Sequence, residues 1–437
     1  MIDTPICDFV QVYAASSPIR VHMPGHKGQG PLGCEALDIT EIDGADSLYE
    51  ASGIIAKSEA NASLLFGCPT FYSTEGSSLA IRAMLYLATL GRGRKVLAGR
   101  NAHKTFLSAA ALLDLDVSWI FPRPEESYYS CSVTPDILEM ALQQETVDMV
   151  YLTSPDYLGQ MLDIQSLAEV CHRHEALLVV DNAHGAYLRF LSPSQHPMDL
   201  GADLCCDSAH KTLPVLTGGA YLHVQPEIAA QAKQALALFG STSPSYLIMQ
   251  SLDMANVYME DLPDRLLMFL PYMEQAKIRL QQYGYQLCEE EPLKITIDAG
   301  AFGYTGDALA ETLLEQDIVA EFHDQDYLVL MCTPENTLEE LDKIVQVLCS
   351  ISQQHGKTKP VFSVEKPQQV MSIRKAVMSP SETVLVEESA GRVLAQSTVG
   401  CPPAIPIVMS GERISENGVR LMEYYGTKTV QVIVRPR

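Results

Sequence analysis

Apolar and polar positions alternate along the chain in a way that predicts a long series of helices and strands and a shorter second one. The run Ser77–Leu90 is apolar almost all round, which is typical of a buried helix. Short apolar runs typical of buried strands occupy 95–98, 148–153, 176–181, 203–207 and 218–224, and a further helical pattern covers 167–174. Because strands alternate with helices, we predict an α/β large domain with a mainly parallel central sheet.

A second, shorter series begins near residue 294. Its strand patterns cover 294–299 and 327–333, and its helical patterns cover 306–316 and 337–352. A polar linker follows at Gln353–Pro360. We predict an N-terminal segment at 1–50, a large domain at 51–290 and a smaller C-terminal α/β region at 291–437. Within that last region, 361–437 are predicted to form a distinct module.

The charge of the chain restricts its partners. Lys and Arg number 30 and Asp and Glu number 54, so the net charge of the 437 residues is −24. Residues 361–437 hold 9 basic and 7 acidic side chains, a net of +2, which supports a separate module there. Nucleic acid and an anionic membrane surface are not expected as partners, because both require a basic face.

The cysteines and the N-terminus favour a cytoplasmic protein. The 11 cysteines are scattered, form no CxxC pair and include the adjacent Cys205 and Cys206, as expected of reduced thiols. The N-terminus lacks the basic and apolar regions of a signal peptide. No apolar run approaches the roughly 20 residues of a transmembrane helix.

Two short motifs carry the strongest chemical signals. Lys211 lies in a polar turn, Ser208–Thr212, between two apolar strand patterns, where a lysine can form a Schiff base with a carbonyl cofactor. Alone, it could equally be an exposed surface lysine. Asp181 ends a buried strand, a costly position unless the carboxylate is paired. It could pair with a pyridinium nitrogen, cap a helix or bind a metal together with His184, although no third metal ligand has a persuasive spacing.

Two further motifs add anion donors and a ring. Ser77 and Ser78 open the buried helix, where free N–H groups and the helix dipole suit a phosphate, although ordinary N-capping explains them too. The spacing differs from that of an NTPase phosphate loop. His103 follows a predicted strand and could stack on a planar ring or be an ordinary loop histidine. Together these signals follow the order expected of a pyridoxal phosphate (PLP) enzyme with the aspartate aminotransferase fold.

Several motifs together resemble the Orn/Lys/Arg decarboxylase family, the bacterial PLP-dependent decarboxylases of basic amino acids. The resemblance spans nearly the whole chain, and the length matches the short members that lack an N-terminal wing domain. The motifs that carry it are MPGHKG at 23–28, GADSL at 44–48, GSS at 76–78, RNAHK at 100–104, DNAHG at 181–185, SAHKTL at 208–213, STSPSY at 241–246 and PPAIP at 402–406 with Gly411-Glu412.

The resemblance implies a PLP fold type I enzyme that converts arginine, lysine or ornithine to the amine and CO₂, with arginine slightly preferred and a place in polyamine metabolism. It implies that Lys211 holds PLP as a Schiff base and that Asp181 pairs with its ring nitrogen. His103 would stack on the ring, with Ala183 and His184 on the other side. Reprotonation would fall to Lys211 or His210. The expected phosphate ligands are Ser77, Ser78, Ser208 and His210.

The resemblance also implies a homodimer with shared active sites, which can assemble further, because Ser243 would reach the phosphate of the neighbouring subunit's cofactor. No metal is expected. In the C-terminal loop, Cys401, Ala404 and Ser410 replace the aromatic, glycine and proline of the family pattern, and Asn182 stands where short members often have Glu. Glu412 is the candidate for holding a distal substrate cation, against the alternative of a surface acid.

Other functions remain open at this point. The same fold supports aminotransferases and β-lyases, and a non-catalytic PLP-binding relative is a third alternative. An aminotransferase normally needs an arginine that clamps the substrate carboxylate. The candidates for that role are Arg374, Arg392 and Arg413, and none lies in a motif typical of it.

Overall fold

The computed structural model of the protein describes residues 2–124, 126–357, 366–396 and 402–434. Cys401, the end of the predicted linker at 358–360 and the start of the predicted module at 361–365 lie outside the described residues.

The four helices predicted from the sequence begin and end within three residues of the predicted positions. The buried helix predicted from Ser77 begins at Gly76, whose φ of +69° is in the left-handed region that favours glycine. The α-helices of the described residues are α1 (Pro5–Ala15), α2 (Ile54–Phe66), α3 (Gly76–Thr89), α4 (Lys104–Leu113), α5 (Pro135–Gln144), α6 (Ile164–Arg173), α7 (Ala209–Thr212), α8 (Ala232–Phe239), α9 (Tyr246–Tyr283), α10 (Ala299–Phe302), α11 (Gly306–Leu314), α12 (Leu338–Ser350), α13 (Ile373–Val377) and α14 (Glu416–Tyr424).

Seven strands of the described residues match the predicted apolar runs, and the other seven were not predicted. The strands are β1 (Thr70–Ser73), β2 (Lys95–Gly99), β3 (Asp116–Ile120), β4 (Met149–Thr153), β5 (Leu177–Asp181), β6 (Leu204–Asp207), β7 (Ala220–Val224), β8 (Gln286–Leu287), β9 (Lys294–Asp298), β10 (Phe322–His323), β11 (Tyr327–Met331), β12 (Ser381–Leu385), β13 (Leu394–Gln396) and β14 (Thr429–Ile433).

The largest sheet has seven strands in the order β1-β7-β6-β5-β4-β2-β3. The pairs β5–β6, β2–β4 and β2–β3 are parallel, and β7 is antiparallel to both β6 and β1. The prediction of an α/β fold with a mainly parallel central sheet is confirmed. The antiparallel strand β7 is a departure that the apolar pattern could not reveal, because a buried strand has the same pattern in either direction.

The chain forms two compact units, and each is described by itself. The first comprises 1–93 and 164–266 and the second 94–163 and 267–437. In the first unit, α3 packs on β5, β6 and β7 on one side and on α8 on the other. These two contact faces explain why α3 is apolar almost all round.

The second unit contains two antiparallel sheets besides β2, β3 and β4. Their strand orders are β10-β11-β9-β8 and β12-β14-β13. Helices α11 and α12 contact each other, and α11 packs on β11. The three-stranded sheet encloses its own core of Val386, Leu394, Val408, Ile414, Val419, Met422, Val430 and Val432. No helix of the described residues is both long and apolar enough to cross a membrane.

Candidate active site

Three strands of the first unit end at the same edge of the sheet. Strands β1, β5 and β6 run in one direction, since β7 lies antiparallel to both β1 and β6 and β5 is parallel to β6. Their last residues, Ser73, Asp181 and Asp207, therefore face the same edge. Helices α3 and α7 begin there directly after β1 and β6. Such an edge is where α/β proteins place their ligands.

Lys211 and His184 come together at this edge. Lys211 is half-buried in α7, and its Nζ lies 2.9 Å from Nε2 of His184, which is buried in the turn after β5. The backbone N–H of Lys211 donates to the carbonyl of Ser208 at 3.0 Å. The polar turn predicted around the lysine is thus a short helix that directs Lys211 toward the DNAHG turn.

Asp181 is buried at the last position of β5. It is 2% exposed, and its Oδ1 accepts the backbone N–H of Ala183 at 3.2 Å. The thiol of Cys206, its neighbour in the β5–β6 register, lies 3.6 Å from the same oxygen. Burial raises the pKa of that thiol well above its usual value, and the nearby Asp181 carboxylate adds to the effect. Cys206 is therefore a neutral hydrogen-bond donor to Asp181 and not a reactive thiolate.

The predicted phosphate ligands lie where two helices begin. Ser77 and Ser78 are in the first turn of α3, and the N-cap residue Glu75 makes no side-chain capping bond to that turn. Its carboxylate instead accepts the backbone N–H of Ser241 at 2.6 Å. Ser208 is the buried N-cap of α7. The first turn of α3 thus presents amide and hydroxyl donors to an anion.

His210 has a fixed ring orientation. Its Nδ1 lies 2.9 Å from the carbonyl oxygen of Gly219, which also accepts the backbone N–H of His210 at 3.2 Å. A carbonyl oxygen only accepts hydrogen bonds, so Nδ1 carries the proton. Proton exchange by His210 would therefore take place at Nε2.

The residues at this edge fit PLP. A lysine, a buried strand-end carboxylate and hydroxyls at a helix N-terminus are the groups that bind its aldehyde, ring nitrogen and phosphate. In addition, Thr212 Oγ1, next to Lys211, is buried and has no hydrogen-bond partner among the described residues. A polar ligand at this edge would account for such a buried hydroxyl.

His103 and Ser243 occupy other positions. His103 belongs to the second unit, is half-buried and caps α4, with Nδ1 accepting the backbone N–H of Thr105 at 3.1 Å. Ser243 is exposed on the loop between α8 and α9, and its backbone N–H donates to Ser241 Oγ at 3.1 Å. The predicted stacking and cross-subunit roles of these two residues stay predictions.

Glu412 is buried in the second unit, so the alternative of a surface acid is wrong. It is 1% exposed, and both carboxylate oxygens accept hydrogen bonds from the guanidinium of Arg100 at 2.6 Å. Oε2 also accepts the backbone N–H of Met409 at 2.7 Å. A substrate cation could reach Glu412 only if this bidentate pair opened, so the geometry does not support the expected substrate role.

One buried cluster in the first unit was not predicted from the sequence. The side chains of His196, Asp207 and His223 bring their ligand-type atoms within 4.8 Å of one another. His196 lies in a loop without periodicity, and the other two lie on neighbouring strands, so no sequence spacing links the three. Asp207 directly precedes the SAHKTL motif, which was the only available signal.

Two family models match the chain. The Orn/Lys/Arg decarboxylase major domain matches residues 4–288, and the C-terminal domain of the same family matches residues 353–430. The chain belongs to the Orn/Lys/Arg decarboxylase family. The predicted family is confirmed, and so is the prediction that the protein is an enzyme.

Named relatives and solved structures agree with membership of this decarboxylase family. Arginine decarboxylase of Bacillus subtilis (strain 168) is 28% identical over 454 residues, covering 95% of this chain and 92% of the relative. Lysine decarboxylase of Francisella novicida has a TM-score of 0.79 at 17% identity, covering 99% of this chain and 81% of that structure. Alanine–glyoxylate aminotransferase of Nostoc sp. has a TM-score of 0.56 at 18% identity, covering 68% of this chain and 85% of that structure. These two structural likenesses show the fold.

Proposed function

We propose that the protein is a PLP-dependent decarboxylase that converts a basic amino acid to its amine and CO₂, with arginine preferred over lysine and ornithine. The observation that carries the proposal is the contact between Lys211 and His184 at the sheet edge where Asp181 ends β5. The preference for arginine is supported by the name of the Bacillus subtilis relative. The amine product is of the kind used in polyamine metabolism.

Each site residue has a proposed part in binding the cofactor. Lys211 binds PLP through a Schiff base, and Asp181 pairs with the ring nitrogen. When bound, PLP supplies an electron sink for the electrons that the departing CO₂ leaves behind. His103 and Ala183 would flank the ring, and Ser77, Ser78, Ser208, His210 and, from the neighbouring subunit, Ser243 would hold the phosphate.

The chain's own residues then govern the proton transfers. Nζ of Lys211 donates to Nε2 of His184, so His184 can hold a proton beside the lysine. His210 keeps its Nδ1–H on Gly219 and can exchange a proton only at Nε2. Cys206 keeps its proton and directs it at Oδ1 of Asp181, which also accepts the backbone N–H of Ala183.

The three arginines considered as clamps for a substrate carboxylate are hydrogen-bonded to other groups, which favours decarboxylation over transamination. Arg374 donates to the carbonyls of Ala111 and Leu112. Arg392 pairs with Glu382 at 2.5 Å, and Arg413 donates to Gly391 and Gln368. All three bind other parts of the second unit, so each would have to give up these contacts to clamp a substrate carboxylate. A carboxylate left without such a clamp is easier to lose as CO₂.

A homodimer with shared sites is part of the proposal. Ile19 and Val21 in the N-terminal segment are 93% and 90% exposed, and Met23 and Leu32 nearby are also exposed. Such a concentration of exposed apolar side chains is typical of an interface. Ser243 is exposed as well, as a residue that serves a neighbouring subunit must be.

We also propose the predicted domain boundaries, with PLP bound by the domain at 51–290, and a cytoplasmic location. The location is supported by the cysteines, because the ten that lie in the described residues are free thiols.

Product analysis by mass spectrometry tests the activity. Purified protein with PLP is incubated separately with arginine, lysine and ornithine, and with a mixture of the other amino acids. We expect agmatine and CO₂ from arginine, with less cadaverine and putrescine from the other two. A keto acid, or no amine from any basic amino acid, would contradict the proposal. A Lys211→Ala variant should lose the visible absorption of the bound cofactor.

Mixing two inactive variants tests the shared site. Lys211→Ala and Ser243→Arg chains, unfolded and refolded together, should regain about a quarter of the wild-type activity, because half of the dimers are mixed and each has one intact site. No regain, from a mixture that forms dimers in the ultracentrifuge, would contradict the cross-subunit role of Ser243.

A further inference from the structure

The carboxylate of Asp207 is the centre of a fully buried hydrogen-bond cluster in the first unit. Its Oδ2 lies 3.1 Å from Nε2 of His196 and 3.0 Å from Nε2 of His223, and all three side chains are 0% exposed. Its Oδ1 accepts the side-chain amide of Asn182 at 2.6 Å. The ring of Phe66 packs against both imidazoles, with centroid distances of 5.6 and 4.5 Å. The cluster is therefore enclosed by apolar surface and held by its own contacts.

The hydrogen bonds of the two imidazoles are accounted for without a metal. Nδ1 of His196 accepts the backbone N–H of Met198 at 3.4 Å, so Nε2 carries the proton and donates to Asp207. Nδ1 of His223 lies 2.9 Å from the hydroxyl of Thr70, which also lies 3.0 Å from the carbonyl of Cys68, and Nε2 faces Asp207, so both ring nitrogens have protein partners. Among the described residues the metal-ligand set has three members, one fewer than a structural zinc site normally uses.

Asn182 connects this cluster to the candidate active site. It is the residue between Asp181 and Ala183, and it is 0% exposed. Its backbone N–H donates to Cys206 and its carbonyl accepts from Gly185, at 3.0 and 2.8 Å. The turn that presents Asp181, Ala183 and His184 is thus held by its backbone and by one side-chain bond to Asp207.

The local sequence makes room for this bond. A Cβ at Gly185 would lie 2.0 Å from the side-chain oxygen of Asn182 and 2.7 Å from its Cγ. The side chain of Asn182 therefore occupies the space that the absent side chain of Gly185 leaves.

We infer that Asp207 is a positioning residue for the cofactor-binding acid, since it fixes through Asn182 the turn that carries Asp181 and His184. This inference rests on the proposed function. Asp207 does not touch the cofactor; it acts through the geometry of the turn, and His196 and His223 hold its carboxylate in the orientation that Asn182 needs.

Exchanging the two partners tests the inference. The variants are Asn182→Asp, Asp207→Asn and the double exchange, each prepared as apoprotein and titrated with PLP. Asn182→Asp places two carboxylates where the 2.6 Å bond now lies, and we expect PLP affinity to fall about tenfold or more. The double exchange keeps an amide–carboxylate bond at the same place, so affinity should return to within about threefold of wild type.

The control is Asp253→Asn, because Asp253 is a second fully buried carboxylate of the same unit. It accepts the backbone N–H groups of Ile6 and Cys7 and the hydroxyl of Ser58, away from the DNAHG turn. This variant should lower the thermal stability of the apoprotein while PLP affinity and the visible circular dichroism of the bound cofactor stay at wild-type values. If Asn182→Asp does not fold, Asp207→Asn alone should still alter the visible circular dichroism of the bound cofactor.

The outcomes separate the inference from the proposed function. Wild-type PLP affinity and dichroism in all the exchange variants would overturn the inference, while a wild-type chain that binds no PLP would overturn the proposed function. The inference also fails if the double exchange binds PLP as weakly as Asn182→Asp. Elemental analysis that finds one metal ion per chain, lost in His196→Gln, would replace the hydrogen-bonded cluster with a metal site.

Discussion

The two units each bury a carboxylate beside a segment of interest, but they satisfy it in different ways. Asp207 in the first unit is shared among donors from three separate places in the sequence, namely Asn182, His196 and His223. Glu412 in the second unit pairs with a single guanidinium, that of Arg100. The first carboxylate is held by three side chains, and the second by one bidentate side-chain partner and the backbone N–H of Met409.

This difference determines what each carboxylate can tolerate. A network loses one bond at a time, so the remaining donors still stabilise Asp207 when one of them is removed. The bidentate pair is lost as a whole, since removing either member leaves a buried charge without its opposite charge. Its guanidinium lies 5.2 Å from the ring centres of both Trp119 and Phe121, which limits access for water.

The largest effect is therefore expected at Glu412. Glu412→Ala should lower the free energy of unfolding by about 3–5 kcal/mol, because Arg100 stays buried and charged. Chemical denaturation of wild type and variant measures this difference in unfolding free energy. Replacing both residues with methionine should recover most of the loss. A loss below about 1 kcal/mol, with a large rise in KM instead, would return Glu412 to its expected substrate role.

Asp207→Asn should have the next largest effect. It should lower the free energy of unfolding by about 2 kcal/mol at neutral pH, because the imidazoles lose a charged acceptor but keep a neutral one. Burial acts to raise the pKa of Asp207, yet the two histidines hold it well below its usual range. Its contribution to stability is thus present above the ordinary aspartate pKa and is lost as the pH falls through and below that value.

Denaturation series across the acidic range check this sign. The difference in unfolding free energy between wild type and Asp207→Asn should shrink as the pH falls below about 4. A difference that grows on acidification would show that the native pKa of Asp207 is raised.

A smaller effect is expected when the guanidinium is replaced but its charge is kept. Arg100→Lys should lower the unfolding free energy by about 1–2 kcal/mol, because an ammonium cannot make both parallel bonds to Glu412. Comparing it with Glu412→Ala by denaturation separates the geometry of the pair from its charge. Equal losses in the two variants would mean that geometry carries the whole effect.

The smallest effect is expected in the loop that precedes Glu412. Ala404 has a φ of +58°, a left-handed conformation that favours glycine, and its carbonyl accepts the backbone N–H of Lys104 at 2.9 Å. Ala404→Gly should stabilise the protein by about 1 kcal/mol or less, since relief of strain is partly offset by the greater freedom of the unfolded chain. A lower temperature of thermal unfolding in this variant than in the wild type would contradict the prediction.

Much of the candidate site could be predicted because its residues follow local patterns. Asp181 and Lys211 stand next to apolar strand patterns, and strand ends collect at one edge of a parallel sheet. The start of α3 was predicted at Ser77, one residue after the observed start at Gly76, because the apolar run of this helix is also a local pattern. The motifs were also specific enough to identify the family.

The remaining features depend on contacts that the sequence does not display. Arg100 and Glu412 are 312 residues apart, and the Asp207 cluster requires the antiparallel direction of β7. Helix α9 was missed altogether. It continues for 38 residues even though Pro263 and Pro271 lie within it, and each proline removes a backbone donor that a helix normally uses.

The glycine of the DNAHG turn has a consequence for how this region tolerates variation. Gly185 has a φ of −118°, which any residue can adopt, so backbone freedom is not what requires glycine there. The requirement is spatial, because a methyl group would occupy the position of the Asn182 amide. In a library randomised at positions 182 and 185 and selected for folding rather than for activity, alanine should therefore survive at 185 only where a smaller residue replaces Asn182.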